Sequence, residues 1–137
     1  MKKLFLPLSI LALATALVQA GTPDQAVMEK GKKIYMAYCF TCHQPTGLGI
    51  PGAFPPLAKS DYLTKNDKAT VIKSVVLGLQ GEIVVNGAKY NSVMTPLPPN
   101  YSSADAAAVL TYVYNSWGNP GGVVTEAEVE AVKKAGK

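Results

Sequence analysis

The stretch Cys39-Phe40-Thr41-Cys42-His43 puts two thiols three positions apart and an imidazole directly after the second. That C-x-x-C-H spacing is the signature of covalent haem attachment. Each thiol can add to a different vinyl group on one haem edge. The histidine can then swing under the porphyrin and offer a ring nitrogen to the iron. The chain has 2 cysteines and 1 histidine, all of them in this motif, so no other residue competes for the role. Other uses of a C-x-x-C pair fit less well. Zinc takes four N/S ligands, and three candidates crowded into five residues fall short. A thioredoxin-like dithiol belongs in a βαβ unit, whereas these surroundings read as helical. A structural disulfide is the remaining use of the pair.

A haem held by one histidine leaves a sixth position on the iron. Electron transfer is better served when that position is filled, and with no second histidine the candidates are the methionines. Met1 lies in an apolar leader. Met28 and Met36 precede Cys39 on a helix tethered at the haem edge, from which the far face is hard to reach. Met94 follows His43 by 51 residues in a proline-flanked irregular segment able to cross that face. The alternative is a methionine that fills a gap in the core.

The elements that must position these residues can be read from periodicity. Residues 24–38 read as a first helix leading straight into Cys39, with Gly31, Tyr35 and Tyr38 on one face and Ile34 beside them. A glycine inside a helix costs about 1 kcal/mol against alanine, which points to close packing at Gly31 against another backbone. Residues 44–60 are too rich in glycine and proline for a helix or central strand, yet they carry Ile50, Phe54 and Leu57. After C-x-x-C-H, such a loop would wrap the histidine side of the haem. A short turn near 60–63 precedes a helix from about Asp67 to Leu79, with Val71, Val75 and Leu79 on one face and Gly78 and Gly81 at its end. A small hairpin is expected over 82–90, turning at Asn86-Gly87. Residues 91–101 are irregular. A helix over 103–117 starts at Ser102 with Asp105 three residues on, a capping-box spacing, and stops at Gly118 and Pro120. A second such spacing, Thr125 with Glu128, opens a short helix to about Ala135. There is no internal repeat and no sign of a second domain.

Composition narrows the function. The 137 residues suit one domain. Lys2 and Lys3, an apolar run from Leu4 to Val18 and the small-residue site Val18-Gln19-Ala20 form a secretory leader pattern. The apolar run of 15 residues is shorter than the roughly 17–25 that span a bilayer, so cleavage is expected and no permanent membrane anchor. Residues 1–20 are then a signal peptide, and residues 21–137 the mature domain. Without Lys2 and Lys3 the formal charge falls from +4 to +2, and two haem propionates bring it near zero. All 13 basic residues are lysine. With no arginine to read phosphates and bases bidentately, nucleic acid is not an expected partner.

Taken together, the mature sequence resembles the small class I cytochromes c over nearly all its length. The stretches Pro51–Leu63 and Leu110–Asn119 are similar to a bacterial subgroup found alone or attached to periplasmic dehydrogenases and nitrite reductases. The resemblance implies an all-α bundle of about four to five helices around one covalent haem c. It implies thioethers at Cys39 and Cys42 and axial ligation by His43 and Met94. It places Gly31 and Tyr35 against Val109 and Tyr112. It makes the Pro55 carbonyl the acceptor for the second ring nitrogen of His43, with Leu57 packing on the haem. The sequence departs from the frequent Met-Pro of that family, because Thr95 separates Met94 from Pro96. The region beyond Gly121 exceeds the minimal fold and is expected to cover apolar surface, with docking as the alternative.

The expected function is single-electron transfer in the periplasm by an exported carrier without catalytic residues. Redox proteins (a dehydrogenase, reductase or oxidase) are the expected partners, with Lys59 and Lys89 as docking candidates and Tyr62 and Tyr90 as candidates near the propionates. The alternatives are a haem with an open sixth site that binds or transforms small ligands, and a dedicated electron-transfer subunit of one enzyme complex.

Overall fold

The computed structural model describes residues 22–136. The leader pattern and its cleavage site lie outside the described residues. The chain begins with α1 (Gln25–Ile34), capped by Asp24, whose carboxylate accepts the Ala26 N–H at 2.7 Å. The helix does not stop before the cysteines. It widens into a π-helical turn over Tyr35–Cys39 and resumes as α2 (Phe40–His43). One residue more than an α-turn holds shifts the phase of everything after it, a feature common at functional sites. This is why Tyr38 leaves the face shared by Gly31 and Tyr35, where i, i+3 spacing had put it. Tyr38 reaches instead to Thr95 and Pro96.

A tight loop follows, then α3 (Tyr62–Lys65) and α4 (Lys68–Val76). Asp67 caps α4 through the Thr70 N–H. The helix ends at Val76, short of the expected Leu79, because Gly78 takes φ +82° and Leu79 pairs with Met94 in an isolated bridge. The hairpin β1 (Ile83–Val85) and β2 (Ala88–Tyr90) is antiparallel, with Ile83 opposite Tyr90 and Val85 opposite Ala88. Asn86 and Gly87 turn it with positive φ at both positions. Next is α5 (Ser103–Tyr114), opened by the Ser102/Asp105 capping box. It ends three residues before Trp117, since the Asn115 side chain ties Thr111 O to Gly122 O and Trp117 adopts φ +52°. The last helix, α6 (Glu126–Ala135), opens with the Thr125/Glu128 box.

These helical bodies pack around the crossing of α1 and α5. A Cβ on Gly31 would overlap the Ala108 carbonyl and come within 2.7 Å of Tyr112 Cβ, so only glycine permits the approach. The crossing therefore falls on Ala108 and Tyr112, one residue from the expected Val109, which lines the central cleft. Tyr35, Tyr112 and Trp117 close one end of the crossing with ring centroids 5.0–5.6 Å apart. The extension beyond Gly121 covers apolar surface. Val124 and Val129 are fully buried in the core shared with Ile72 and Leu110.

Candidate functional site

Cys39 closes the π-helical turn, and Cys42 and His43 lie in the following turn of α2. All three border a single cleft enclosed by α4, α5, the hairpin and the 44–60 loop. His43 is 7% exposed, and its Nδ1 lies 2.9 Å from the Pro55 carbonyl oxygen. A carbonyl only accepts, so Nδ1 carries the proton and Nε2 keeps its lone pair for the cleft. Pro55, not Pro56, makes this bond. Burial holds the imidazole below its ordinary pKa, against the Pro55 carbonyl, which favours the proton. Burial, with Cys42 close by, pushes the Cys39 thiol up to about 12. That setting is opposite to the one that activates a redox dithiol, where the thiolate is stabilised.

The loop holding Pro55 is folded back on itself. The Gly49 N–H donates to His43 O, and the Leu57 and Ala58 N–H groups both donate to Gly47 O. Gly49 has φ +64°, and a Cβ there would meet the carbonyls of Phe54 and Pro55. The histidine's acceptor is thus fixed by backbone packing within fifteen residues of the ring.

Met94 enters the same cleft from another wall. Its backbone exchanges two hydrogen bonds with Leu79, both 2.9 Å. A Cβ on Gly78 would come 2.8 Å from Met94 O, so that glycine lets the two segments touch. Leu97 N–H donates to Val75 O at 2.8 Å and fastens the segment to α4. Met28 and Met36 stay on the first helix, with Met36 40% exposed, and neither borders the cleft. The residues missing from the sequence reading are Gly78, Leu79 and Tyr38. Gly78 and Leu79 were visible only as a helix end, and Tyr38 only as one face of a helix.

Between these donors the wall is hydrocarbon: Leu57, Val71, Val75, Val109, Leu110 and Val113. Tyr62 borders the cleft beside these residues; Ser74 donates to Thr70 O, and Tyr62 therefore donates to Ser74 Oγ at 3.1 Å. Tyr90 is buried and borders the cleft next to Met94. The docking candidates stand away from the lining: Lys89 pairs with Glu82 at 2.9 Å, and the Lys59 stem lies over Gly118. The donor set fits haem c. Two sulfurs stand at one rim, a buried imidazole is oriented through its other nitrogen, a thioether stands on another wall, and hydrocarbon separates them. Among the described residues no group of three or more His, Cys, Asp or Glu gathers to hold a metal ion.

A helical bundle around an apolar cleft that carries C-x-x-C-H on one wall defines a class I c-type cytochrome. Residues 28–117 match the family model described as Cytochrome c, and the chain belongs to that family. It is similar to cytochrome c-552 of Thermus thermophilus, 46% identical over 92 residues that cover 65% of this chain and 69% of that one. It is also similar to the cytochrome c subunit of a quinone alcohol dehydrogenase of Gluconobacter oxydans, 27% identical over 124 residues, 89% of this chain and 25% of that subunit. A third relative is the CcoP subunit of the cbb3-type cytochrome c oxidase of Azospirillum brasilense, 28% identical over 100 residues, 69% of this chain and 30% of that subunit. The protein is accordingly a carrier of electrons with one covalently attached haem c, not an enzyme. Among the described residues no helix is long and apolar enough to cross a membrane.

Proposed function

We propose that Cys39 and Cys42 hold the haem through thioethers, that His43 and Met94 are its axial ligands, and that the domain is residues 21–137, released from a signal peptide at residues 1–20. The mature chain then passes single electrons between periplasmic redox proteins, of which a dehydrogenase, a reductase or an oxidase are the candidates. The names of the more distant relatives, subunits of a dehydrogenase and of an oxidase, support partners of those kinds. The observation that carries the reading is the pairing within one cleft of Met94 and a buried His43 already bonded to Pro55 O at 2.9 Å.

When bound, the haem supplies an iron that gains or loses one electron. The chain supplies the rest. Pro55 fixes the His43 tautomer and ring plane and raises the basicity of the free nitrogen. The valines and leucines of the wall keep water out, which lowers the reorganisation that accompanies a change of charge. Leu57, which lines the cleft, would pack against the haem. Asp105 and Glu128 serve as helix caps.

The test is the optical spectrum of the attached, exported protein, oxidised and reduced, with and without carbon monoxide. A low-spin reduced spectrum, a weak far-red sulfur-to-iron band when oxidised and no carbon monoxide shift are expected. Met94→Ala should abolish the far-red band and open the reduced protein to carbon monoxide. Carbon monoxide binding by the wild type would instead mark an open sixth position and a ligand-binding haem.

A further inference from the structure

Thr95 stands between Met94 and Pro96, and the fold gives that insertion a partner. Tyr38 Oη lies 2.8 Å from Thr95 Oγ1 and 3.0 Å from the Pro96 carbonyl oxygen. A phenol has one proton and a carbonyl only accepts. Tyr38 therefore donates to Pro96, and the Thr95 hydroxyl donates to Tyr38. The two bonds join the residue just before Cys39 to the residues just after Met94, across 57 and 58 positions of sequence. Tyr38, Met94 and Thr95 all border the cleft. On the α4 side Met94 is held by its backbone, through Leu79. Toward the first helix, among the described residues, the hydrogen bonds of this segment are those of Tyr38.

We propose that Tyr38 and Thr95 form a clasp that keeps the Met94 thioether seated and closes the cleft to competing ligands. Both are positioning residues that act through Met94, and the inference rests on Met94 being the sixth ligand. A thioether is a weak ligand, so an outside base displaces it once the 94–96 segment swings away. That motion must break the clasp. One net hydrogen bond weights such an equilibrium by roughly threefold to tenfold. The inserted threonine is then what makes the clasp complete, because proline directly after the methionine offers no hydroxyl.

The experiment titrates the oxidised holoprotein with imidazole and follows loss of the far-red band, in wild type, Tyr38→Phe, Thr95→Val, Thr95→Ser and the Tyr38→Phe/Thr95→Val double variant. Tyr38→Phe should bind imidazole about threefold to tenfold more tightly. Thr95→Val, which keeps the bond to Pro96, should show a smaller gain. Thr95→Ser should stay near wild type, and the double variant should match Tyr38→Phe alone, since one network is lost only once. Thermal unfolding of the same samples reports any merely structural role, which would move the midpoint and leave imidazole affinity where it was. Wild-type affinity in Tyr38→Phe overturns the clasp. If that variant does not fold, equal affinities for Thr95→Val and Thr95→Ser overturn it. A wild type without a Met94-dependent far-red band overturns the ligand assignment and the clasp together. A band that Met94→Ala removes, with Tyr38→Phe unchanged, overturns the clasp alone.

Discussion

The two walls of the cleft are built on different principles. The wall that carries His43 is local: its acceptor Pro55 follows the ring by 12 residues, and the loop between them is closed by backbone bonds from Gly49, Leu57 and Ala58. The wall that carries Met94 is assembled from afar. Leu79 grips its backbone from 15 residues away, and Tyr38 reaches its neighbours from 57 and 58. Short closures cost less chain entropy than long ones, though the cost grows only slowly with length. The histidine side therefore holds its shape through its own loop, whereas the methionine side, clipped to Leu79 over a span only slightly longer, also depends on the first helix through Tyr38. The wall that carries His43 is thus the more rigid of the two, and the wall that carries Met94 the more releasable.

Substitutions at two glycines, Gly49 on one wall and Gly78 on the other, separate the walls. Gly49→Ala should have the larger effect. Its Cβ would strike the Phe54 and Pro55 carbonyls from a residue at φ +64°, inside a loop with no slack. A loss of about 2–4 kcal/mol is expected, read as a lower unfolding midpoint and a poorer yield of attached haem. Gly78→Ala should cost less, about 1–2 kcal/mol. The nearest atoms there are one carbonyl, Met94 O at 2.8 Å, and the exposed Pro96 ring at 3.2 Å, which can shift. Its signature should be functional: the displaced Met94 backbone should weaken the far-red band and admit imidazole while the fold survives. If Gly78→Ala unfolds the protein and Gly49→Ala does not, the contrast between the walls is reversed.

The same contrast decides how much could be read beforehand. The attachment motif, the Asn86-Gly87 turn and the Ser102/Asp105 and Thr125/Glu128 caps are local patterns, and each lies where its residues predict. Gly31 was legible as a close approach, because a glycine in a helix needs a reason, although its contact falls on Ala108 rather than Val109. Apolar periodicity carried α4 on to Leu79, since a valine-rich run looks the same whether its last leucine faces a core or bridges to a distant strand. The π-helical turn has no sequence mark, and its extra residue sends Tyr38 to Thr95. Met94 could be chosen because the other methionines were badly placed, but its anchors could not: Leu79 reads as the end of a helix and Tyr38 as one face of another.

Both walls rest on the crossing of α1 and α5, and its one ion pair gives the smallest expected effect. Lys30 Nζ lies 2.7 Å from Asp105 Oδ1, and the Ser102 N–H donates to Asp105 Oδ2 at 2.8 Å. Lys30 first, then the Ser102 N–H, hold the carboxyl at about 2, below its ordinary value. The folded chain thus prefers the anion more strongly than the unfolded chain does. That preference stabilises the fold above the ordinary carboxylate value and is lost as pH falls from there through about 2. Both partners are solvent-accessible, so screening keeps the contribution to about 1 kcal/mol, most of it from the cap. Asp105→Asn should lower stability by that amount at neutral pH, and the gap from wild type should narrow on acidification and vanish only below the folded-state value of about 2. Denaturant unfolding of both proteins from neutral pH downward measures it. A gap that stays constant with pH would mean that the side chain acts at this crossing through its shape, without its charge.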